Sequence, residues 1–570
     1  MNPKLKMSQN LLKAVFATVL FFVWTTTFPQ SWNWANGAGN MGPDYISSTT
    51  IDNSNNFYAG MTAWGGISGL SVVFNSNTFI INGSSDFFIV KYSNTGEELW
   101  IKQFGGSFDP NMQEDEFDAI SKLYFDPISN CILAFGSFVG TCDFGSISIS
   151  STNYDDQDVF IAKFDLEGNC LWAKRAGSSS MDRPNFMTVD IEGNVYMCAL
   201  FPYGGNFGTI QVQNGGHLAK YDPEGNVLWV KKIFSNPGPG FSFPLFFNNS
   251  KIINNSLYIH GYNTASQFTV DTITMSVPDY SGQLIAKFDL MGNIQWLRCI
   301  GGPNANGSIV ELGVDLQQNF YFSGYFAGEY ATFGSDTIHS IGTKEMYVAK
   351  YNEMGDKIWI SQANANQTAK GTGVCIGNDG FLYVTGGFNG TMNFGSFALN
   401  SISTNDLYIL KMDQEGNFIG GDNTNGGTGY YIQQDLNGFL NICGILKYTA
   451  NFGSITLTEQ GEGGWGDMFV AQHTPITVGV TELKSNHSND LFIYANPTTG
   501  ICNVSIPEEL QNEENLTLLV YDNTGKLIMQ QEIGMLEEKI SMNLEAQAKG
   551  IYQAVLTNGK NKYSGKVVFE

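Results

Sequence analysis

A short stretch beginning at Asp86, DFFIVKYSNTGEELW, returns along the chain as DVFIAKFDLEGNCLW, GHLAKYDPEGNVLW, GQLIAKFDLMGNIQW and EMYVAKYNEMGDKIW. A sixth copy, DLYILKMDQEGNFIG, lacks the tryptophan, and a seventh, DMFVAQHT, stops early. The copies align on Lys91, Lys163, Lys220, Lys287, Lys350 and Lys411, with Gln472 in the seventh place. Nine residues after each of the first five lysines stands Trp100, Trp172, Trp229, Trp296 or Trp359. A period of 57 to 72 residues kept in this register is an architectural repeat.

Each copy has a physical logic. The residues before the lysine are apolar at consecutive positions, as expected for a strand covered on both faces. The small residue before it (Ala162, Ala219, Ala286 or Ala349) leaves room where sheets converge. D-x-x-G-N then predicts a tight hairpin, with Asp bonding its own backbone and Gly at positive φ. The tryptophan falls on the return strand, where its area fills the wedge between sheets. Upstream, segments such as DIEGNVYMCALF and DLQQNFYFSGYF predict two more strands. An F-G-x-x-x-[IL] excursion follows at Phe144, Phe207, Phe333, Phe394 and Phe452, with weaker forms at Phe74 and Phe268.

Four strands repeated seven times predict an all-β, seven-bladed β-propeller over residues 31–475, because ring closure leaves no long edge unpaired. The seventh copy stops before its outer strand, while SWNWANGAGN near the start resembles that missing strand. Residues 32–39 are therefore expected to complete the last blade; a solenoid is the alternative. The composition agrees: 14% charged, 14% aromatic and 65 glycines suit short strands and tight turns. A net charge of −24 argues against nucleic acid and anionic membranes as partners and favours solubility.

The first thirty residues carry Lys4, Lys6 and Lys13 and then an apolar run from Ala14 to Trp24, the pattern of a cleavable signal peptide. That run is too short to span a bilayer comfortably, so no transmembrane anchor is expected. Eight cysteines stand apart with no C-x-x-C pair, which predicts buried single thiols; a Cys131–Cys142 bridge is the alternative.

The repeat resembles the secreted bacterial β-propeller repeat family, whose core is D-x-F-[IV]-x-K-[YF]-D-x-x-G-x-x-x-W. After a linker at 476–488 the repeat is gone. Residues 489–570 alternate apolar and polar positions between Asn-Pro, Asp-Asn and Asn-Gly turns, predicting a small β-sandwich of seven or eight strands. This segment resembles the C-terminal sorting domain of the type IX (Por) secretion system. The matching residues are Asn496, Pro497 and Gly500 in NPTTG, Gly525 in VYDNTGKLI, Gly550 and Tyr552 in GIY, and Lys566 in KVVF. Ala495 departs from the family's usual leading proline. The resemblance implies export in two steps by the type IX machinery, to the outside or outer surface of a Gram-negative bacterium.

Chemistry is harder to find. His217 and His473 occupy repeat positions held elsewhere by large apolar residues and are read as strand substitutions. No G-x-S-x-G, H-E-x-x-H or phosphate-cradling loop is present. Oxygen-rich DNSNN, DIEGN and DLEGN lack the EF-hand spacing and are read as turns. The quinoprotein D-x-x-T-G-x-x-x-W spacing is not kept. The expectation is thus no catalytic residue, no cofactor and no metal. Recurrent acids (Asp86, Asp158, Asp406, Asp467) belong to the repeat background. The function read from the sequence is a non-enzymatic binding, adhesion or display module, with an extracellular glycan or protein ligand and aromatics such as Trp64, Phe201 and Tyr203 as candidate stacking groups. An extracellular enzyme acting on polysaccharide or protein, or a structural surface-layer component, is the alternative.

Overall fold

The computed structural model describes residues 31–569 except 66–69, 76, 107–117, 154–155, 236–244, 277–281, 301–311, 316, 334, 461–465, 477–490, 492, 495–497, 508–509, 511–515, 523–526, 534–538 and 559–561. The expected signal peptide, and the expected linker apart from Ile476, lie outside these residues. Among the described residues regular structure is β-strand, with no α-helix. The chain divides into two compact units, residues 1–477 and 478–570.

The larger unit is a succession of antiparallel four-strand runs. The first comprises Asp44–Ile51, Phe57–Trp64, Ser85–Tyr92 and Glu98–Phe104, hydrogen-bonded in that order. The second comprises Ala119–Asp126, Cys131–Val139, Gln157–Phe164 and Cys170–Gly177. Runs three to six start at Arg183, Leu245, Gly313 and Thr368. Run seven takes Thr428–Gln434, Leu440–Leu446 and Asp467–His473 from the end of the unit, and its fourth strand is Trp32–Gly39 from the beginning. Runs five and six join through a parallel contact, Lys344 with Thr368.

Third strands such as Ser85–Tyr92 and Gln157–Phe164 are buried along their whole length, which is why they read as unbroken apolar runs. The Phe-Gly excursions form short hairpins between second and third strands. Their phenylalanines, Phe74 to Phe452, are all buried. Several hairpins pair with the fourth strand of the preceding run, as Ala38 with Phe74 and Ala176 with Phe207.

The D-x-x-G-N turns explain the repeat's spacing. Asp165 accepts from the backbone N–H of Glu167 and Asn169 and from the Asn169 amide. The same pattern recurs at Asp222, Asp289 and Asp413, so each turn saturates its own aspartate. The tryptophan of one run then donates to the first carbonyl inside the next run's turn. Trp100 bonds Leu166 O at 3.0 Å, Trp172 bonds Pro223 O at 3.2 Å, and Trp359 bonds Gln414 O at 3.0 Å. Indole and turn glycine are in contact: a Cβ on Gly225, at φ +80°, would lie 3.0 Å from Trp172.

In five of the copies the repeat lysine is an ion-pair residue. Lys163 Nζ sits 3.5 Å from Asp126, Lys220 3.4 Å from Asp190 and Lys411 3.0 Å from Asp379, each aspartate coming from the turn between the first two strands of the same run. Several of these ammonium groups also lie over or beside an aromatic ring, as Lys220 does 5.0 Å from the Tyr196 centroid. In run seven Gln472 replaces lysine and donates to Asp435 at 3.3 Å.

The C-terminal unit holds two sheets. One joins Ile493–Tyr494, Ile501–Ser505 and Lys539–Asn543; the other orders Leu527–Ile533, Leu516–Tyr521, Gly550–Thr557 and Lys562–Phe569. Alternating inward residues, among them Leu518, Val520, Ala554 and Leu556, form one core. All eight cysteines are free, so the Cys131–Cys142 bridge is not formed.

Candidate ligand-binding site

The first strand of a run is not regular. Pairing slips by one residue between Ile46 and Ser48, Ile120 and Lys122, Pro184 and Phe186, and Phe247 and Asn249. The extra residues at these bulges are Ser47, Ser121, Asn185 and Asn248. A bulge re-aims a side chain out of the ladder and bends its strand. All four of these residues line one cavity of about 660 Å³, together with Pro43, Tyr45, Trp64 and Tyr431. Run seven carries the same slip between Gly429 and Tyr431. The cavity is therefore built by strands from runs one, two, three, four and seven.

Its aromatic walls are braced from behind. Asn40 donates its amide to Trp64 O at 2.9 Å, and a Cβ on Gly42 would stand 3.0 Å from the Trp64 ring. Asp44 accepts from Asn40 N–H at 2.7 Å, fixing that turn. The Tyr431 hydroxyl donates to Ser47 O, linking the seventh run to the first. Tyr45 remains open, at 56% exposure. Asn185 Oδ1 is buried without a protein partner among the described residues. The described lining contains no carboxylate, histidine, cysteine or ammonium, so it offers apolar faces, hydroxyls and amides.

Four buried acids, Asp44, Asp86, Asp118 and Asp182, stand within two residues of the lining. Burial pushes the Asp44 carboxyl up to about 8, opposed by the Asn40 N–H and reinforced by nearby Asp467. Burial likewise takes Asp182 to about 8, Asp118 to about 7 and Asp86 to about 6. Asp86, Asp158, Asp406 and Asp467 accept backbone N–H groups of the segment before their own strand, as Asp406 does from Ile402 at 2.7 Å. These acids hold loops. His217 and His260 are buried, and burial lowers both to about 4. His473 is buried and bonds Asp422 at 3.0 Å. Among the described residues no three His, Cys, Asp or Glu side chains gather as a metal cluster.

Of the three aromatics singled out from the sequence, Trp64 lines the cavity, Tyr203 is 68% exposed and outside it, and Phe201 is fully buried against Phe207. Phe201 is a core residue and cannot stack on a ligand. The bulge residues were missed by sequence reasoning. A signal exists: three of them stand five positions before the residue opening the first turn, Ser47 before Asp52, Ser121 before Asp126, Asn185 before Asp190.

In the C-terminal unit, Gly500 has φ +151°, and a Cβ there would meet the Glu545 side chain at 2.5 Å. Gly550 opens the strand that carries Tyr552, which is buried and donates its hydroxyl to Ala548 O. Lys566 pairs in register with Gln553. Asn496, Pro497 and Gly525 lie outside the described residues.

Comparison with known proteins places this unit. Residues 492–570 match the secretion system C-terminal sorting domain. The chain is 25% identical over 247 residues to an uncharacterized WD repeat-containing protein of Acanthamoeba polyphaga mimivirus, covering 37% of this chain and 18% of that protein. It thus spans less than a fifth of that relative's length. Similar solved structures include the extracellular domain of a putative one-component system from B. thetaiotaomicron (7% identity, 92% of this chain and 86% of that one, TM-score 0.17). Another is the Bacillus licheniformis rhamnogalacturonan lyase PL11 (10% identity, 78% and 90%, TM-score 0.23). Among the described residues no helix is long and apolar enough to cross a membrane. Residues 492–570 are a secretion system C-terminal sorting domain, read by the type IX machinery, and the protein they belong to is sent to the cell surface or outside the cell.

Proposed function

We propose that residues 31–475 form a seven-bladed β-propeller displayed or released outside the cell as a binding module, and that its ligand is an extracellular carbohydrate taken at the 660 Å³ cavity. Three features support the propeller reading: the repeated four-strand runs, the pairing of Trp32–Gly39 with Asp467–His473, and the bonds from Tyr431 and Gln433 of run seven to Ser47 O and Thr49 O of run one. The observation that carries the ligand is the lining itself. Its volume falls in the range of small-ligand sites. Tyr45, Trp64 and Tyr431 offer ring faces for the C–H faces of a sugar, and Ser47, Asn185 and Asn248 offer the hydroxyls and amides that pair with sugar hydroxyls. With no acid or histidine in the described lining, the cavity supports binding rather than general acid–base hydrolysis.

The test is a glycan-array screen with the full secreted chain, followed by calorimetric titration of any hit. Trp64→Ala and Tyr45→Ala are expected to weaken binding at least tenfold while leaving the melting curve of the exposed Tyr45 variant unchanged. A ligand bound equally well by both variants would remove the cavity from the function.

A further inference from the structure

Further along the strands that line the aromatic cavity are two more spaces, the second bounded also by Gly313, Val314 and Val374 of runs five and six. One, of about 130 Å³, is bounded by Thr49, Lys122, Thr188, Ser250, Lys251 and Gln433, among others. The next, of about 270 Å³, shares Lys251 and Gln433 with it. These spaces continue the mouth: Ser121 lines the mouth and Lys122 the space below, and Asn248 at the mouth precedes Ser250 and Lys251. At about 3.3 Å per residue the lysines lie roughly 3 to 10 Å deeper along their strands, one or two sugar rings.

The charge there is the reverse of the chain's. The sequence holds 53 acidic residues against 29 basic ones, yet among the described residues the only charged side chains lining these spaces are Lys122 and Lys251. Five repeat lysines, Lys91, Lys163, Lys220, Lys350 and Lys411, are spent on turn aspartates. Lys251 is exposed to the space and makes no side-chain hydrogen bond or ion pair among the described residues. Lys122 Nζ lies 6.0 Å from the centre of the Tyr431 ring, which belongs to the mouth. The acids at the far ends of these strands, Asp126 and Asp190, are engaged by Lys163 and Lys220. A second observation is independent of charge. Ser250, only 6% exposed, has a hydroxyl with no partner among the described residues, and it lines the same space. A buried donor without a partner costs free energy unless something bonds it, and a carboxylate oxygen would.

We infer that the propeller's central space is an anion site, in which Lys122, Lys251 and the Ser250 hydroxyl hold the carboxylate of a uronic-acid residue whose neighbouring rings stack in the mouth on Trp64, Tyr45 and Tyr431. The inference rests on the proposed carbohydrate reading and narrows it to acidic glycans. Charge-assisted bonds to the two ammonium groups supply the selectivity, since a neutral sugar offers neither lysine a counter-charge and leaves the serine unbonded.

The experiment titrates the full secreted chain with hexuronic-acid oligosaccharides and with their carboxyl-reduced, neutral counterparts, by calorimetry at low and high salt. The uronate form is expected to bind at least tenfold more tightly than the neutral form, with that advantage shrinking as salt rises. Lys251→Gln and Lys122→Met should each erase most of the advantage while leaving neutral-sugar binding in place; the exposed position of Lys251 keeps its variant folded. Ser250→Ala should give a smaller loss of the same kind. Equal affinity for both forms, or lysine variants that keep the full preference, overturns the anion site and leaves the mouth reading standing. Uronate binding that survives Trp64→Ala but is lost in both lysine variants overturns the mouth as the ring-stacking part. Absence of binding to either form overturns both.

Discussion

The Trp34 indole donates to Asn94 O at 3.3 Å. It does for run seven what Trp100, Trp172 and Trp359 do for theirs, reaching the first carbonyl inside the turn of the following run, and that following run is the first. The bond spans sixty residues from the start of the unit while its strand pairs with Asp467–His473 at the end. Trp34 is buried at 7% exposure and stacks 6.0 Å from Tyr92. Trp34→Ala should therefore destabilise the larger unit by about 3–5 kcal/mol, the usual loss for a buried large aromatic. Trp34→Phe, which keeps most of the area and loses the bond, should cost less. Urea unfolding followed by fluorescence checks both; a loss under about 1 kcal/mol for the alanine variant would mean the strand is not a structural closure.

The Lys163–Asp126 pair is almost wholly buried, with side-chain exposures of 6% and 1%. Removing one partner leaves the other charge desolvated. Lys163→Met should cost about 3–5 kcal/mol, whereas the double variant Lys163→Met with Asp126→Asn should recover a large part of that. A double-mutant cycle that closes additively would sink the idea that the lysine is there for the aspartate.

The repeat was legible because its chemistry is local. Lysine, turn aspartate, turn glycine and tryptophan recur in one register, since each completes a contact that most runs make. What the sequence did not announce was the partnership: Lys163 and Asp126 are 37 positions apart, and nothing in either segment names the other. The cavity was hidden for a related reason. It is made by bulges in first strands of mixed burial, such as Asp44–Ile51, and a bulge shifts side chains by one position without changing composition. Phe201 shows the converse error. An aromatic beside a Pro-Tyr-Gly-Gly turn looks exposed, but its strand, Val195–Phe201, is buried to its last residue.

Two turn glycines separate crowding from backbone strain. Gly225 has φ +80°, and a Cβ added there would stand 3.0 Å from both Trp172 and Lys174, while Gly208 has φ +57° with nothing within 4 Å. Gly208→Ala should cost about 1–2 kcal/mol, the left-handed penalty alone. Gly225→Ala adds displacement of the indole that bonds Pro223 and should cost more. Thermal melts of the two variants test the order, and equal losses would show that the tryptophan yields freely.

Stability should fall as pH rises through the neutral range. The folded-state carboxyls of Asp44 and Asp182 titrate at about 8 and that of Asp118 at about 7, against an ordinary value of 3.8. Between these limits the folded chain holds protons that the unfolded chain has already released. Raising the pH therefore favours unfolding, by about 1.4 kcal/mol per pH unit for each such group. Buried His217 and His260 act in the opposite direction, but their window runs from about 4 to the ordinary 6.5. Above pH 6.5 the aspartates act with the histidines silent. Asp44→Asn, which keeps an oxygen to accept from Asn40 N–H, should remove one group's share of the slope between pH 6.5 and about 8 and gain stability relative to the parent as pH rises. Parallel urea titrations at half-unit intervals would show it. Parent and variant curves that stay parallel across this window would mean that Asp44 is ionised in the folded protein at neutral pH, and that the turn bracing Trp64 is held by a charge rather than by a protonated acid.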